Sequence, residues 1–231
     1  PKGVGVRLPP SLPTDVHLPM LWYIVSMKKL ALSLLSLIFV ISCSESDSYS
    51  LRALNADSES ESWLLHGRTY DESRFSPLKD INDTNVGDLG LSWSFETGTN
   101  RGHETTPIVV DGMMFITAPW SIVFALDAKT GEEIWSFDPE ADKAWARNAC
   151  CDVVNRGVAV WGEHVVFATI DGRLISLDKE SGEVNWDVLT IDKSKPYTIT
   201  GAPRIIDGKI IIGNGGGEFG VRGYISAYDI Q

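Results

Sequence analysis

The chain has 231 residues, a formal net charge of −11 and 43% hydrophobic residues. That balance is ordinary for a globular protein, and its acidity excludes a nucleic-acid binder, which needs a basic face. Eight tryptophans, 21 glycines and many short apolar runs point to a β-rich fold with tight turns.

Residues 1–26 contain no initiator-like start and no clear periodicity, and they read as sequence upstream of a true start at Met27. Met27-Lys28-Lys29 then opens a basic stretch, Leu30 to Ile41 form a short apolar core, and Ser42 is the small residue that ends it. This is the layout of an export signal over 27–42, and the apolar run is too short for a comfortable membrane span. Val40-Ile41-Ser42-Cys43 resembles the lipobox of bacterial lipoproteins. That resemblance implies a lipidated Cys43 and a membrane-anchored domain facing the periplasm, with an uncleaved anchor as the alternative. Export would place the other two cysteines where disulfides persist. Residues 43–60 are rich in Ser, Asp and Glu and read as a flexible tether. A weakly helical stretch, Leu51 to Ala56, leaves a first helix as the other reading.

From residue 61 the composition changes. Trp63 to Leu78 leads into a short helical turn expected at Thr84–Leu89, capped by Asn82 or Asp83, and a strand is expected to begin near Leu91. The chain then repeats. Asp127, Asp178 and Asp229 stand 51 residues apart, the first two inside the pattern D-x-x-T/S-G-x-x-x-W that ends at Trp135 and Trp186. Asp-Gly pairs between apolar residues, at Asp111-Gly112, Asp171-Gly172 and Asp207-Gly208, mark hairpins. A period near 50 with about four short strands per unit predicts an all-β fold, a β-propeller represented here by about three blades. Three blades cannot close a ring, so the expectation is the N-terminal portion of a longer protein, cut in mid-strand at Gln231.

Cys150 and Cys151 are adjacent. Neighbouring Cα atoms lie ~3.8 Å apart across a trans peptide, and ordinary disulfides prefer roughly 4.4–6.8 Å. A bridge between them would need a distorted or cis peptide, and the residues alone favour two reduced, buried thiols.

The tryptophan repeat, the opening W-x-x-H-G-R-x-Y-x-x-x-R-F-S-P-L at Trp63–Leu78, and the Cys-Cys pair with Arg156 five positions later together resemble the pyrroloquinoline quinone (PQQ)-dependent alcohol dehydrogenases, in their methanol/ethanol dehydrogenase branch. The resemblance covers roughly 61–231 and implies an eight-bladed propeller in the full-length protein. It implies that Cys150 and Cys151 form a vicinal disulfide lying flat on one face of PQQ, and that Arg156 pairs with a PQQ carboxylate, a task suited to a planar guanidinium. By the same resemblance Glu104 lies at the cofactor's edge and Thr200 hydrogen-bonds it. Gly215, Gly216 and Gly217 bring backbone close to it, where some members carry Ser or Ala at the first and third of these positions. Glu218 is implied as a ligand of a calcium ion or a lanthanide, which take hard oxygen donors. The implied reaction oxidises a small primary alcohol to an aldehyde by hydride transfer to the quinone, with electrons passing to a cytochrome c or a membrane acceptor. The family's aspartate base and the remaining metal ligands would follow Gln231, so the piece alone is expected to be inactive. His66, His103 and His164 show no metal spacing and read as structural or exposed.

Two other readings compete. A propeller lipoprotein acting as a scaffold in outer-membrane protein assembly would share the lipobox and the Trp repeats, but has no need of Cys150-Cys151, Arg156 and Glu218. A sugar-oxidising quinoprotein of the membrane glucose-oxidising branch is disfavoured by the vicinal cysteines.

Overall fold

The computed structural model describes residues 48–231. The expected export signal and Cys43 lie outside the described residues. Among the described residues, eleven strands form three antiparallel meanders. The first is β1 (Ile108–Val110), β2 (Met113–Thr117), β3 (Val123–Asp127) and β4 (Glu133–Phe137); the second is β5 (Ala159–Trp161), β6 (His164–Ala168), β7 (Arg173–Asp178) and β8 (Val184–Leu189). The third has three strands, β9 (Arg204–Ile206), β10 (Lys209–Gly213) and β11 (Ile225–Asp229). Each sheet is a blade, so two blades are complete and one has three strands.

The turns explain the register. Val110 pairs with Met113 and Ile206 with Lys209, leaving two-residue loops at Asp111-Gly112 and Asp207-Gly208. Both residues of each loop have positive φ, the backbone that an Asp-Gly hairpin supplies at little steric cost. At Asp171-Gly172 only the glycine is left-handed, and the turn is longer: the Gly172 N–H donates to Thr169 O and the Thr169 N–H to Arg173 O.

The repeated D-x-x-T/S-G pattern builds the turn between the third and fourth strands. The Asp127 carboxylate accepts from the N–H groups of Lys129 and Thr130, and Asp178 accepts from those of Glu180 and Ser181. Gly131 and Gly182 follow with φ of 75° and 73°. Their missing side chains also make room for tryptophan. A Cβ on Gly182 would sit 2.7 Å from the Trp135 ring. Trp135 Nε1 donates to Lys179 O at 2.9 Å, and Trp186 Nε1 donates to Ile230 O at 3.0 Å. The tryptophan of one blade thus seats on the turn of the next, which is how the repeat packs one sheet on another. Strands β6 and β7 carry the most buried faces, with Val165, Phe167, Leu174 and Ile175 all shielded from solvent.

Three sequence expectations change. No strand forms near Leu91. Trp93 and Phe95 do turn inward on alternate residues, Trp93 against Gly131 and Phe95 edge-on to Phe124, but no strand among the described residues runs beside them to complete a ladder. The helical turn expected at Thr84–Leu89 narrows to one 3-10 turn, Val86–Asp88, with Asn85 at its cap position. The third change concerns the stretch read as a flexible tether over 43–60. From Ser48 onward it is folded: residues 48–54 are helical, and Ala56–Ser58 add a 3-10 turn. Tyr49, Ala53 and Ala56 recur at i, i+4 and i+7, so one face of this stretch is apolar, and all three are buried. Tyr49 packs 5.2 Å from the Trp161 ring, and the buried Arg68 guanidinium holds Asp57 at 2.6 Å and donates to Ala56 O. Serine and acidic residues on the outer face gave the segment its tether-like composition.

One buried carboxylate ties a loop to the second blade. Asp171 accepts from Thr169 Oγ1 at 2.5 Å and from the Asp142 N–H, with Arg173 at 3.5 Å and Lys193 at 3.7 Å. Burial alone would raise its pKa, but the Thr169 hydroxyl and the surrounding donors and cations outweigh burial and hold it below the ordinary carboxylate range. A depressed pKa contributes stability above the unfolded value near 3.9, and that stability is lost as pH falls through the folded pKa. Asp171→Asn should therefore cost about 1–2 kcal/mol at pH 7, and the gap to the parent in urea melts should narrow toward pH 3. An unchanged gap across that range would show that the charge is not what matters.

Candidate cofactor-binding site

The three segments that lead into β1, β5 and β9 converge. Thr106 donates its N–H to Arg156 O at 3.2 Å, and Arg156 donates its own N–H to Thr200 O at 3.0 Å. The backbone entrances of three successive blades are thereby laced together. Gly157 makes the first lacing possible: its φ is 120°, and a Cβ there would come within 2.9 Å of Thr106 O. Asn155, almost fully buried, fixes the same turn from below. Its Nδ2 donates to Ala168 O at 2.8 Å, and its Oδ1 accepts from the Gly157 N–H at 3.0 Å.

Side chains follow the backbone. Arg156 Nη2 pairs with Glu104 Oε2 at 2.7 Å, and Nη1 donates to Thr200 Oγ1 at 2.6 Å. Arg156 is thus clasped from both sides, yet its side chain stays 42% exposed, so a guanidinium edge remains open to a ligand. It opens on a cavity of about 410 Å³ lined also by Thr200, Asn214, Gly215 and the apolar Ile211 and Ile225.

The glycine turn forms the far wall. Gly215 donates its N–H to Thr198 O at 2.7 Å, and Gly216 takes φ of 101°. A Cβ on Gly216 would lie 2.6 Å from Pro196 O, so backbone meets backbone there. Gly217–Phe219 form a 3-10 turn that carries Glu218 to the exposed surface. Neither Gly217 nor Glu218 lines the cavity, and no group of three or more His, Cys, Asp or Glu gathers around a metal-sized space among the described residues.

Cys150 and Cys151 are joined by a disulfide with Cα atoms 3.8 Å apart. The described residues contain no cis peptide bond, so the bridge closes across a trans peptide. Both cysteines are exposed, which replaces the reading of two buried thiols. They project from a loop fixed at both ends. Trp145 Nε1 donates to Tyr197 O at 2.7 Å before the bridge, and Val153 O accepts the Trp120 N–H at 2.9 Å after it. The cysteines do not line the cavity beside Arg156.

Among the histidines, His66 is half-buried with Nε2 at 3.4 Å from Thr106 Oγ1; burial first, then nearby Arg204, holds its imidazole below the usual value. His103 contacts Thr97 Oγ1 at 2.7 Å, and His164 contacts Ser176 Oγ at 3.0 Å.

The structure therefore brings Glu104, Arg156, Thr200 and Gly215 to one place, sets Gly216 behind them, and leaves Gly217, Glu218 and the disulfide out of the cavity lining. Asn155 was not singled out in the sequence, although its position beside Arg156-Gly157 is a signal that could have found it. Trp120, which adopts φ of 68°, carries no such signal.

A family model described as the glucose/ethanol/alcohol dehydrogenase β-propeller domain (PQQ) matches residues 63–231. The chain belongs to the PQQ-dependent dehydrogenase β-propeller family. It is 55% identical over 181 residues to the quinohemoprotein alcohol dehydrogenase ADH-IIG of Pseudomonas putida, covering 78% of this chain and 25% of that protein. It is 55% identical over 168 residues to the 1-butanol dehydrogenase (cytochrome c) of Thauera butanivorans, covering 72% and 24%. The solved structure of the Pseudomonas putida ADHIIG superposes with a TM-score of 0.77 at 54% identity, covering 78% of this chain and 27% of that one. A europium-containing methanol dehydrogenase gives 0.74 at 40% identity, covering 78% and 32%. The chain thus spans about a quarter of the length of the curated relatives it matches. In PQQ-dependent propeller terms, its three sheets are a partial ring.

Proposed function

We propose that this chain supplies the first part of the cofactor cradle of a PQQ-dependent alcohol dehydrogenase that oxidises a small primary alcohol to its aldehyde. The observation that carries the reading is Arg156, held in a fixed plane by Glu104 and Thr200 with one edge open to the cavity. PQQ is a planar tricarboxylate, and a clamped guanidinium recognises a carboxylate in a defined orientation. The absence of side chains at Gly215 and Gly216 and the positive φ of Gly216 let this turn pack tightly on Thr198 and Pro196, which fixes the wall that Gly215 gives the cavity. The disulfide presents a short, stiff surface that could cover a ring face once later blades complete the pocket.

When bound, PQQ supplies the quinone that accepts the hydride. The chain's own part is to bind and orient it: Arg156 with the cofactor carboxylate, Thr200 and Glu104 keeping that guanidinium in place, and the glycine turn shaping the wall. Glu218, an exposed carboxylate at the end of that turn, is offered as one oxygen ligand of a calcium or lanthanide ion. Electrons pass onward to a cytochrome c or another acceptor. Cys43 is proposed as a lipid anchor that holds the enzyme at the periplasmic side of a membrane.

The deciding experiment titrates PQQ into the full-length protein with a divalent or trivalent metal and follows alcohol-dependent dye reduction. Saturable reduction that needs both PQQ and alcohol supports the reading. A protein that binds no PQQ overturns it. The isolated 48–231 segment should give no turnover, since no group of three or more His, Cys, Asp or Glu gathers among its residues to hold the metal; measurable turnover would overturn that part alone. Membrane partition of the protein against its Cys43→Ser variant tests the anchor separately.

A further inference from the structure

The disulfide turn is tied to the first blade by contacts that the cofactor cradle does not use. Asp152 follows Cys151 directly and takes φ of 71°, a left-handed backbone that Asp and Asn tolerate better than most residues. Its carboxylate pairs with Arg101, which lies 51 residues earlier and only three residues before Glu104. The Arg101 guanidinium also stands 5.8 Å from the centre of the Trp120 ring, which Lys143 approaches at 4.2 Å. Trp120 in turn holds the chain after the bridge through Val153 O.

These contacts place two short segments side by side with a pattern of charge. Arg101 and Glu104 lie on one, Asp152 and Arg156 on the other, and the ion pairs run in opposite senses: Arg101 to Asp152, Arg156 to Glu104. Sliding one segment along the other would bring like charges together, so the pairs select one register. Both members of the Arg101–Asp152 pair are substantially exposed, at 49% and 38%, and an exposed pair adds little to folding stability. What the pair can do is fix geometry, because the disulfide is the next residue along and the cofactor-binding guanidinium is four residues beyond.

We propose that Arg101 and Asp152 are positioning residues whose ion pair sets the Cys150–Cys151 turn relative to the Arg156–Glu104 clasp, and so sets how the bridge covers the cofactor. The cofactor half of this statement rests on the reading given under Proposed function.

The test uses the full-length protein, three single variants and the R101Q/D152N double variant. R101Q and D152N remove one charge each at near-constant shape, and Asn keeps the tolerance for positive φ at 152. R101K keeps the charge. Three quantities are measured: the rate at which a phosphine reduces the disulfide without cofactor, the rate of PQQ release, and the Tm. R101Q and D152N should each speed reduction and PQQ release by about three- to fivefold, the double variant should add little to either, and R101K should stay within about twofold of the parent. The Tm should move by less than about 2 °C. Unchanged reduction and release rates in both neutral variants would overturn the proposal. So would rate changes that track a falling Tm, since they would indicate a structural role only. If the parent binds no PQQ, the cofactor reading fails, while the cofactor-free reduction rates still decide whether the pair positions the turn.

Discussion

Trp135→Ala is expected to destabilise the protein by about 3–5 kcal/mol, a value typical for deleting a large buried aromatic ring. Trp135 is nearly fully buried, its ring lies on the bare Cα of Gly182, and Phe115 packs 5.9 Å from it. Its removal would leave a cavity between two blades that neither sheet can close, because both are pinned by their own ladders. It would also strip Lys179 O of the indole donor that now satisfies it. Trp135→Phe should keep most of the ring stacking and lose mainly that hydrogen bond, at about 1–2 kcal/mol. Urea melts of parent and variants give the comparison. A loss below about 1 kcal/mol for the alanine variant would contradict a blade-to-blade role for the tryptophan.

The same contact shows why the fold was legible. Asp127, Gly131 and Trp135 act within a span of nine residues, and the pattern recurs at Asp178, Gly182 and Trp186, so a local motif reports a packing rule. The Asp-Gly hairpins were legible for the same reason: two residues determine the turn. What failed depended on partners elsewhere. Trp93 and Phe95 have the alternation of a strand, but a strand also needs a neighbour, and none among the described residues lies alongside. Tyr49, Ala53 and Ala56 were outweighed by the serines and acids between them, because composition averages over a face that periodicity would have resolved.

The site divides in a similar way. Glu104, Arg156 and Thr200 were found by type and order through a family resemblance, and the structure gathers them because each precedes the first strand of its blade. Glu218 and Gly217 came from the same resemblance, and the described residues leave them at the surface. Arg101, Trp120 and Asp152 had no pattern to betray them. The contacts that cross from one blade to the next, Arg101 to Asp152 and Trp120 to Val153, span more than 30 residues, and single sequences carry no trace of such pairings when the residue types are common.

Arg156→Lys should weaken PQQ binding by the full-length enzyme about 100-fold, equivalent to roughly 2.7 kcal/mol, within the range of a lost pair of charge-assisted hydrogen bonds. The argument turns on geometry rather than charge, since lysine keeps the charge. Arg156 uses one nitrogen for Glu104 and another for Thr200, and what remains is a planar edge aimed at the cavity. A lysine ammonium is a point donor on a flexible stem. It would settle on Glu104, the nearest carboxylate, and leave neither a fixed plane nor a free edge for the ligand. Thr200 Oγ1 would also lose its donor at the cavity wall. Because the backbone lacing through Thr106 and Thr200 does not involve the side chain, the Tm without cofactor should stay within about 2 °C of the parent. Binding followed by the change in PQQ absorbance gives the comparison, with Glu104→Gln as the companion variant. That variant frees the guanidinium from its internal carboxylate, so it should weaken binding less than Arg156→Lys if Glu104 only holds the arginine in place. Near-parental PQQ affinity in Arg156→Lys would mean that charge alone suffices at this position, and the clamped plane would then have no part in recognising the cofactor.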